Sequence, residues 1–281
     1  MKIKIGIGLA ICIVLIAVGI FFLLQMNQQV HKIGNIQYGD QSEQKLDIYT
    51  PKRIPIGKKL PVILYVHGGG WTGGNKENVA EKPNFFIKKG YVFISINHRL
   101  SPKVTYEEMA SDVVLAIKWV DSHAEDYQID RRKINLMGHS AGGHLSMLIG
   151  TNPKYLQKAG LTPQSINAIV NLEGPVDLVE FIQWLGSYKK VFGEDPKVWR
   201  QASPLTYASE KNLPPILLVT RRAASVAGFV KKTMQAGNQV EVFESKTLTH
   251  TEVTKLLGDS HASGEAKEMT SSVEAFLKAK N

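Results

Sequence analysis

The chain has 281 residues, of which 43% are hydrophobic and 21% charged, and its formal net charge is +9. Those proportions exclude a disordered chain and suit one large globular domain behind an apolar N-terminal segment. The lysines lie in scattered pairs such as Lys58-Lys59 and Lys189-Lys190, not in a run, so the positive charge reads as a solvated surface and no nucleic-acid partner is expected.

The first element expected is a membrane helix. Ile5 to Leu24 carries no charge, and as a helix it reaches roughly 30 Å, one bilayer core. Lys2 and Lys4 precede it, which sets the N-terminus in the cytoplasm and the rest outside. A cleaved signal peptide fits less well, because no small-residue cleavage site follows Phe21-Phe22-Leu23-Leu24. A lipoprotein signal at Cys12 also fits less well, since bulky Ile11 precedes that cysteine. Cys12 is the single cysteine, so an intrachain disulfide and a Cys-built metal site are excluded. Residues 1–26 are therefore expected to form a signal anchor, 27–37 a polar linker, and 38–281 the folded domain.

Within the domain, Lys45-Leu46-Asp47-Ile48-Tyr49 alternates like a strand. Pro61–Val66 is almost wholly apolar, as a strand covered on both faces should be. Tyr91–Ile96 is a third strand, and Met109, Val113, Ile117 and Val120 recur at helical spacing. Ile134–Met137, Ala168–Leu172, Pro215–Thr220 and Val240–Glu244 are further strands, and Met269, Val273, Phe276 and Leu277 mark a closing helix. Apolar strands alternating with helical stretches imply a mostly parallel sheet flanked by helices.

Gly138-His139-Ser140-Ala141-Gly142 fits the pattern G-x-S-x-G, between a strand and a helical stretch. A serine hydroxyl can project from so tight a turn only if glycines let neighbouring backbone pack close, and the helix N-terminus then favours developing negative charge. Ser140 is the expected nucleophile. His67-Gly68-Gly69-Gly70 follows a buried strand, so the N–H groups of Gly69, Gly70 and Ala141 are the expected oxyanion donors. The base should follow the last strand, which selects His250 over the more distant His261. His139 and His67 are read as structural neighbours of the site. No phosphate loop, dinucleotide fingerprint or metal-ligand helix motif is present, so no metal or organic cofactor is expected.

These segments resemble the α/β-hydrolase esterases of the hormone-sensitive-lipase and feruloyl-esterase/kynurenine-formamidase-like groups. The resemblance runs from about Tyr38 to the C-terminus. It rests on Lys45–Tyr49, His67–Trp71, Asn97-His98-Arg99-Leu100-Ser101-Pro102, Gly138–His144, Ala202-Ser203-Pro204 and His250. It implies an α/β-hydrolase fold, with Ser140 as nucleophile, His250 as base and Gly69, Gly70 and Ala141 as oxyanion donors.

The departure from the family is the acid, an Asp that follows the strand matching Pro215–Thr220. Here the strand runs into Arg221-Arg222-Ala223-Ala224-Ser225, and no Asp or Glu stands between Glu210 and Glu241. Asp177, after the preceding strand, is the candidate replacement, with a helix cap as its alternative role. The other expectation is that nothing replaces the acid and the enzyme is slow. Three functions remain open at this point: a carboxylesterase acting on small esters, an arylformamidase-like amide hydrolase, and a non-catalytic binding protein of the same fold. The cap over the site is expected from Asn75–Phe86 and Phe181–Val198.

Overall fold

The structure, a computed structural model, describes residues 30–281. The expected signal anchor at 1–26 lies outside the described residues. Among the described residues, no helix is long and apolar enough to cross a membrane.

Eight strands make one sheet. They are β1 (Val30–Gln37), β2 (Lys45–Pro51), β3 (Leu60–Val66), β4 (Val92–Ile96), β5 (Ile129–His139), β6 (Ala168–Leu172), β7 (Ile216–Thr220) and β8 (Val240–Glu244). Their order is β1-β2-β4-β3-β5-β6-β7-β8. β1 and β2 are antiparallel to their neighbours, and every pairing from β4 through β8 is parallel. One stretch read from the sequence as linker is therefore strand: residues 30–37 form β1, paired with β2 from Val30↔Pro51 to Gln37↔Lys45. Its side chains are exposed or half-buried throughout, so it lacks the apolar alternation that marks a strand in sequence.

Strands β3, β4, β6 and β7 are buried almost end to end, and β5 over its second half, because helices cover both faces. On one face lie α2 (Tyr106–Ser122) and α3 (Ala141–Thr151), with Met109, Val113, Ile117, Leu145 and Leu148 in the core. On the other lie α1 (Lys82–Lys88), α9 (His250–Lys255) and α10 (Glu265–Lys280), contributing Phe86, Ile87, Val253, Met269, Val273 and Phe276. α2 starts at a reciprocal capping box between Thr105 and Glu108, which satisfies two of its free end groups. Between α3 and α9 come α4 (Pro153–Lys158), α5 (Leu178–Trp184), α6 (Lys189–Phe192), α7 (Pro196–Ala202) and α8 (Ala223–Gln235).

The sheet register sets the site. Val66, Gly138 and Asn171 stand abreast on β3, β5 and β6, and Leu172 stands beside Val219 of β7. The residues that follow these strands therefore emerge side by side at the carboxyl edge, where open parallel sheets hold their ligands.

Candidate active site

Ser140 is the residue between β5 and α3. Its backbone has φ 52° and ψ −119°, a left-handed conformation that costs a non-glycine residue about 1–3 kcal/mol. The surroundings hold it there. Its N–H donates to the Leu172 carbonyl at 2.8 Å, and its carbonyl accepts from His144 N–H at 2.9 Å. A Cβ at Gly142 would lie 2.2 Å from the Val66 carbonyl oxygen, and one at Gly138 would lie 2.3 Å from the Gly142 oxygen, so both positions require glycine.

The glycine loop after β3 packs against this turn. A Cβ at Gly68 would come within 3.1 Å of the Ser140 Cβ, and one at Gly70 within 3.2 Å of the Tyr188 ring. The N–H groups of Gly69 and Gly70 donate to no acceptor among the described residues. Ala141 is the first residue of α3, where an N–H has no partner within its own helix. His67, read as a structural neighbour of the site, places Nδ1 2.8 Å from the Gly68 carbonyl and stacks on His98 with ring centroids 4.7 Å apart. Burial, with the His98 ring adding to it, pushes the His67 imidazole down to about 3, so it stays neutral. Trp71 Nε1–H donates to His144 Nδ1 at 3.2 Å, and His144 Nε2 lies 2.8 Å from the Ala202 carbonyl. The motif residues outside the turn thus act as struts between the loops.

His250 begins α9. Its Nδ1 lies 3.2 Å from Oε2 of Glu173, the first residue after β6. Glu173 is largely enclosed, its side chain 9% exposed, and also receives Arg221 Nε at 2.7 Å and Arg221 N–H at 2.5 Å. Burial works to raise the Glu173 carboxyl, but the bonds from His250 and Arg221 outweigh it and hold the group at about 2. Its backbone is left-handed too, φ 60°, and its N–H is tied to the Val219 carbonyl at 2.9 Å.

Asp177 does not occupy this position. Its Oδ1 accepts from Val179 N–H at 2.9 Å and from Glu180 N–H at 3.3 Å, which makes it the N-cap of α5. The carboxylate on His250 comes from the strand chosen for Asp177, four residues earlier. Where the other expectation left His250 without a carboxylate, the structure sets Glu173 against its Nδ1. The sequence did carry a signal. Arg221 stands where a family member carries Asp, and such a cation accompanies a carboxylate close by.

His261 lies in an exposed turn, its N–H on Asp259 Oδ1 at 2.8 Å. His139 lies against His250 instead. Its Nε2 is 3.0 Å from the His250 carbonyl, and the two rings are 4.7 Å apart.

Ser140, Glu173 and His250 line one cleft of about 460 Å³ with Asp177, Phe181, Trp184, Tyr188 and Arg222. Of the two segments expected to cap it, the second supplies Phe181, Trp184, Leu185 and Tyr188. The first supplies none of its lining, because α1 packs on the opposite face of the sheet. Among the described residues, no group of three or more His, Cys, Asp or Glu side chains could hold a metal.

An eight-stranded, mostly parallel sheet with a strained serine turn after its central strand defines an α/β hydrolase. The BD-FAE family pattern matches residues 46–229, and the chain belongs to that family. Among similar proteins are esterase LipC of Mycobacterium tuberculosis, 30% identical over 70% of this chain and 52% of LipC, and kynurenine formamidase of Salmo salar, 29% identical over 53% of this chain and 47% of the formamidase. The chain spans about half the length of these curated relatives. A solved carbohydrate esterase from gut microbiota, in truncated form, superposes with a TM-score of 0.75 at 22% identity, covering 90% of this chain and 98% of that one. Esterase B of Lactobacillus rhamnosis superposes with a TM-score of 0.72 at 18% identity, covering 89% and 85%. These likenesses show the fold.

Proposed function

We propose that the protein is a carboxylic ester hydrolase acting through an acyl-enzyme on Ser140. The observation that carries this reading is the Glu173 carboxylate on His250 Nδ1, in the same cleft as the strained Ser140. Nδ1–H donates to Glu173, which fixes the tautomer and leaves the Nε2 lone pair free to take a proton. Ser140 Oγ attacks the ester carbonyl carbon while its proton passes to Nε2. The carbonyl oxygen becomes an oxyanion, and the N–H groups of Gly69, Gly70 and Ala141 are the donors on that side. The C–O bond to the alcohol then breaks, and the leaving oxygen takes the proton from Nε2. Water repeats the sequence on the acyl-enzyme and releases the acid.

Glu173 stabilises the imidazolium formed in each transfer, so the enzyme has a complete set of groups without the usual Asp. A binding protein would have no use for a strained serine beside a paired His and Glu. Amide cleavage of the formamidase kind uses the same groups, and similarity to kynurenine formamidase keeps an aryl formamide on the assay panel.

The test is labelling of the full chain with a fluorophosphonate probe, followed by assay on p-nitrophenyl butyrate. Wild type should label and turn over, and Ser140→Ala should do neither. Labelling that persists in Ser140→Ala would place the reactive group elsewhere.

A further inference from the structure

Lys82 is the first residue of α1 and is 1% exposed. An ammonium group taken that far from water is costly unless paired, and among the described residues it has no carboxylate partner. Burial as the sole cause brings its amine down to about 7. Its hydrogen bonds go to two backbone carbonyls, Val79 at 3.1 Å and Thr254 at 2.5 Å, and Nζ stands 5.1 Å over the Tyr65 ring. Val79 is local to α1. Thr254 belongs to α9, the six-residue helix whose first residue is His250.

A helix this short has little stability of its own. Its start is closed by a capping box between Thr249 and Glu252, which ties down N–H groups ahead of the first turn. Its last carbonyls have no helical partner, and a cation there is favoured by the helix dipole. Lys82 Nζ–H donates to one of these carbonyls, that of Thr254. Tyr65 OH adds a contact to Thr254 Oγ1 at 3.0 Å. At the other end the His250 carbonyl meets His139 Nε2 at 3.0 Å. Burial, with the His250 ring next, pushes the His139 imidazole down to about 4, so it is neutral and Nε2–H is its donor to that carbonyl.

We propose that Lys82 and His139 are positioning residues for His250, pinning the two ends of α9 so that the imidazole is held between Glu173 and Ser140. Neither side chain lines the cleft. Both act through backbone carbonyls on the helix that carries the base. A displacement of about 1 Å in a catalytic group can cost about 10² in rate. The inference rests on His250 being the base.

Lys82→Met keeps the length of the side chain and removes the buried amine with its two hydrogen bonds. As a structural element alone, the methionine should be neutral or stabilising. As a positioning residue, Lys82 is needed for turnover. The expected result is kcat on p-nitrophenyl butyrate lowered about tenfold or more, KM within about twofold of wild type, and Tm unchanged or higher. His139→Phe keeps a ring but loses the donor and should show the same split, whereas His139→Gln can place an amide N–H near the Nε2 position and should recover most of kcat. Wild-type kcat in folded Lys82→Met, or equal kcat in His139→Phe and His139→Gln, would overturn the proposal. If Lys82→Met fails to fold, the His139 pair decides. A second readout separates this inference from the functional reading. The low-field proton resonance of the His250 Nδ1–H to Glu173 bond should be sharp in wild type and weakened in both Lys82→Met and His139→Phe, whether or not an ester is turned over. An unchanged resonance in those variants counts against the pins. Failure of wild type to label with fluorophosphonate counts against the hydrolase reading.

Discussion

Glu173 holds a left-handed backbone because its side chain must turn back across the sheet edge toward His250 while its N–H stays tied to β7. That strain is sustained by three donors on its carboxylate. Glu173→Gln keeps the shape but cannot stabilise an imidazolium. It should lower kcat by about 10³–10⁴ with KM little changed. Asp177→Ala removes a helix cap and should cost about 1 kcal/mol of stability while kcat stays near wild type. Steady-state kinetics and thermal melts on the two variants check both, and a larger kcat loss at Asp177 would reverse the assignment. That Ser140 and His250 meet at one cleft was legible in the sequence, because each belongs to a pattern with fixed chain order. Glu173 was not, because its role depends on the lateral register Leu172↔Val219, which no local pattern states. Asp177 drew attention as a loop carboxylate, yet two N–H groups at the start of α5 already claim its oxygen.

The strand, turn and helix around Ser140 form one unit with almost no free volume. Val66 and His67 carbonyl oxygens lie where a Cβ on Gly142 would fall, at 2.2 and 2.4 Å. Those atoms are backbone at the end of β3 and cannot swing away. Gly142→Ala should therefore push the end of β3 from β5, destabilise the fold by about 2 kcal/mol or more, and abolish fluorophosphonate labelling. A variant with wild-type Tm and full labelling would mean the two strand ends are not packed this closely. At this scale the sequence was informative where periodicity was strong. The buried strands read as apolar runs, and α2 and α10 read as helices. It was silent on β1, an edge strand whose half-buried side chains do not alternate. It also placed Asn75–Phe86 over the cleft, whereas Phe86 and Ile87 are claimed by the apolar core on the far side of the sheet.

Across the whole molecule, the struts that hold the loops are largely neutral histidines. His67, His98 and His144 are nearly inaccessible, and His139 is wedged between the serine turn and α9. Burial is the first cause in each, and it brings them from 6.5 to about 3, 4, 4 and 4 respectively. The fold class follows from strand and helix alternation, but these pairings join segments far apart in the chain, so only the folded molecule displays them. Their consequence is a pH dependence of stability. Between about pH 6.5 and pH 4 the unfolded chain binds protons at these histidines and the folded one does not, so acid favours unfolding across that window. Each histidine contributes at most about 1.4 kcal/mol per pH unit within it. Glu173 extends the effect. Its carboxyl is depressed from 4.5 to about 2, so the stability it lends is full above 4.5 and is lost as pH falls toward 2. Melts of the Ser140→Ala protein, in which any acyl chemistry is absent, should show Tm declining steadily from pH 6.5 to 4 and falling further below 4.5. A Tm that stays level from pH 6.5 to 4.5 would mean that the buried histidines accept protons in place, and that the loops they brace are looser than their contacts imply.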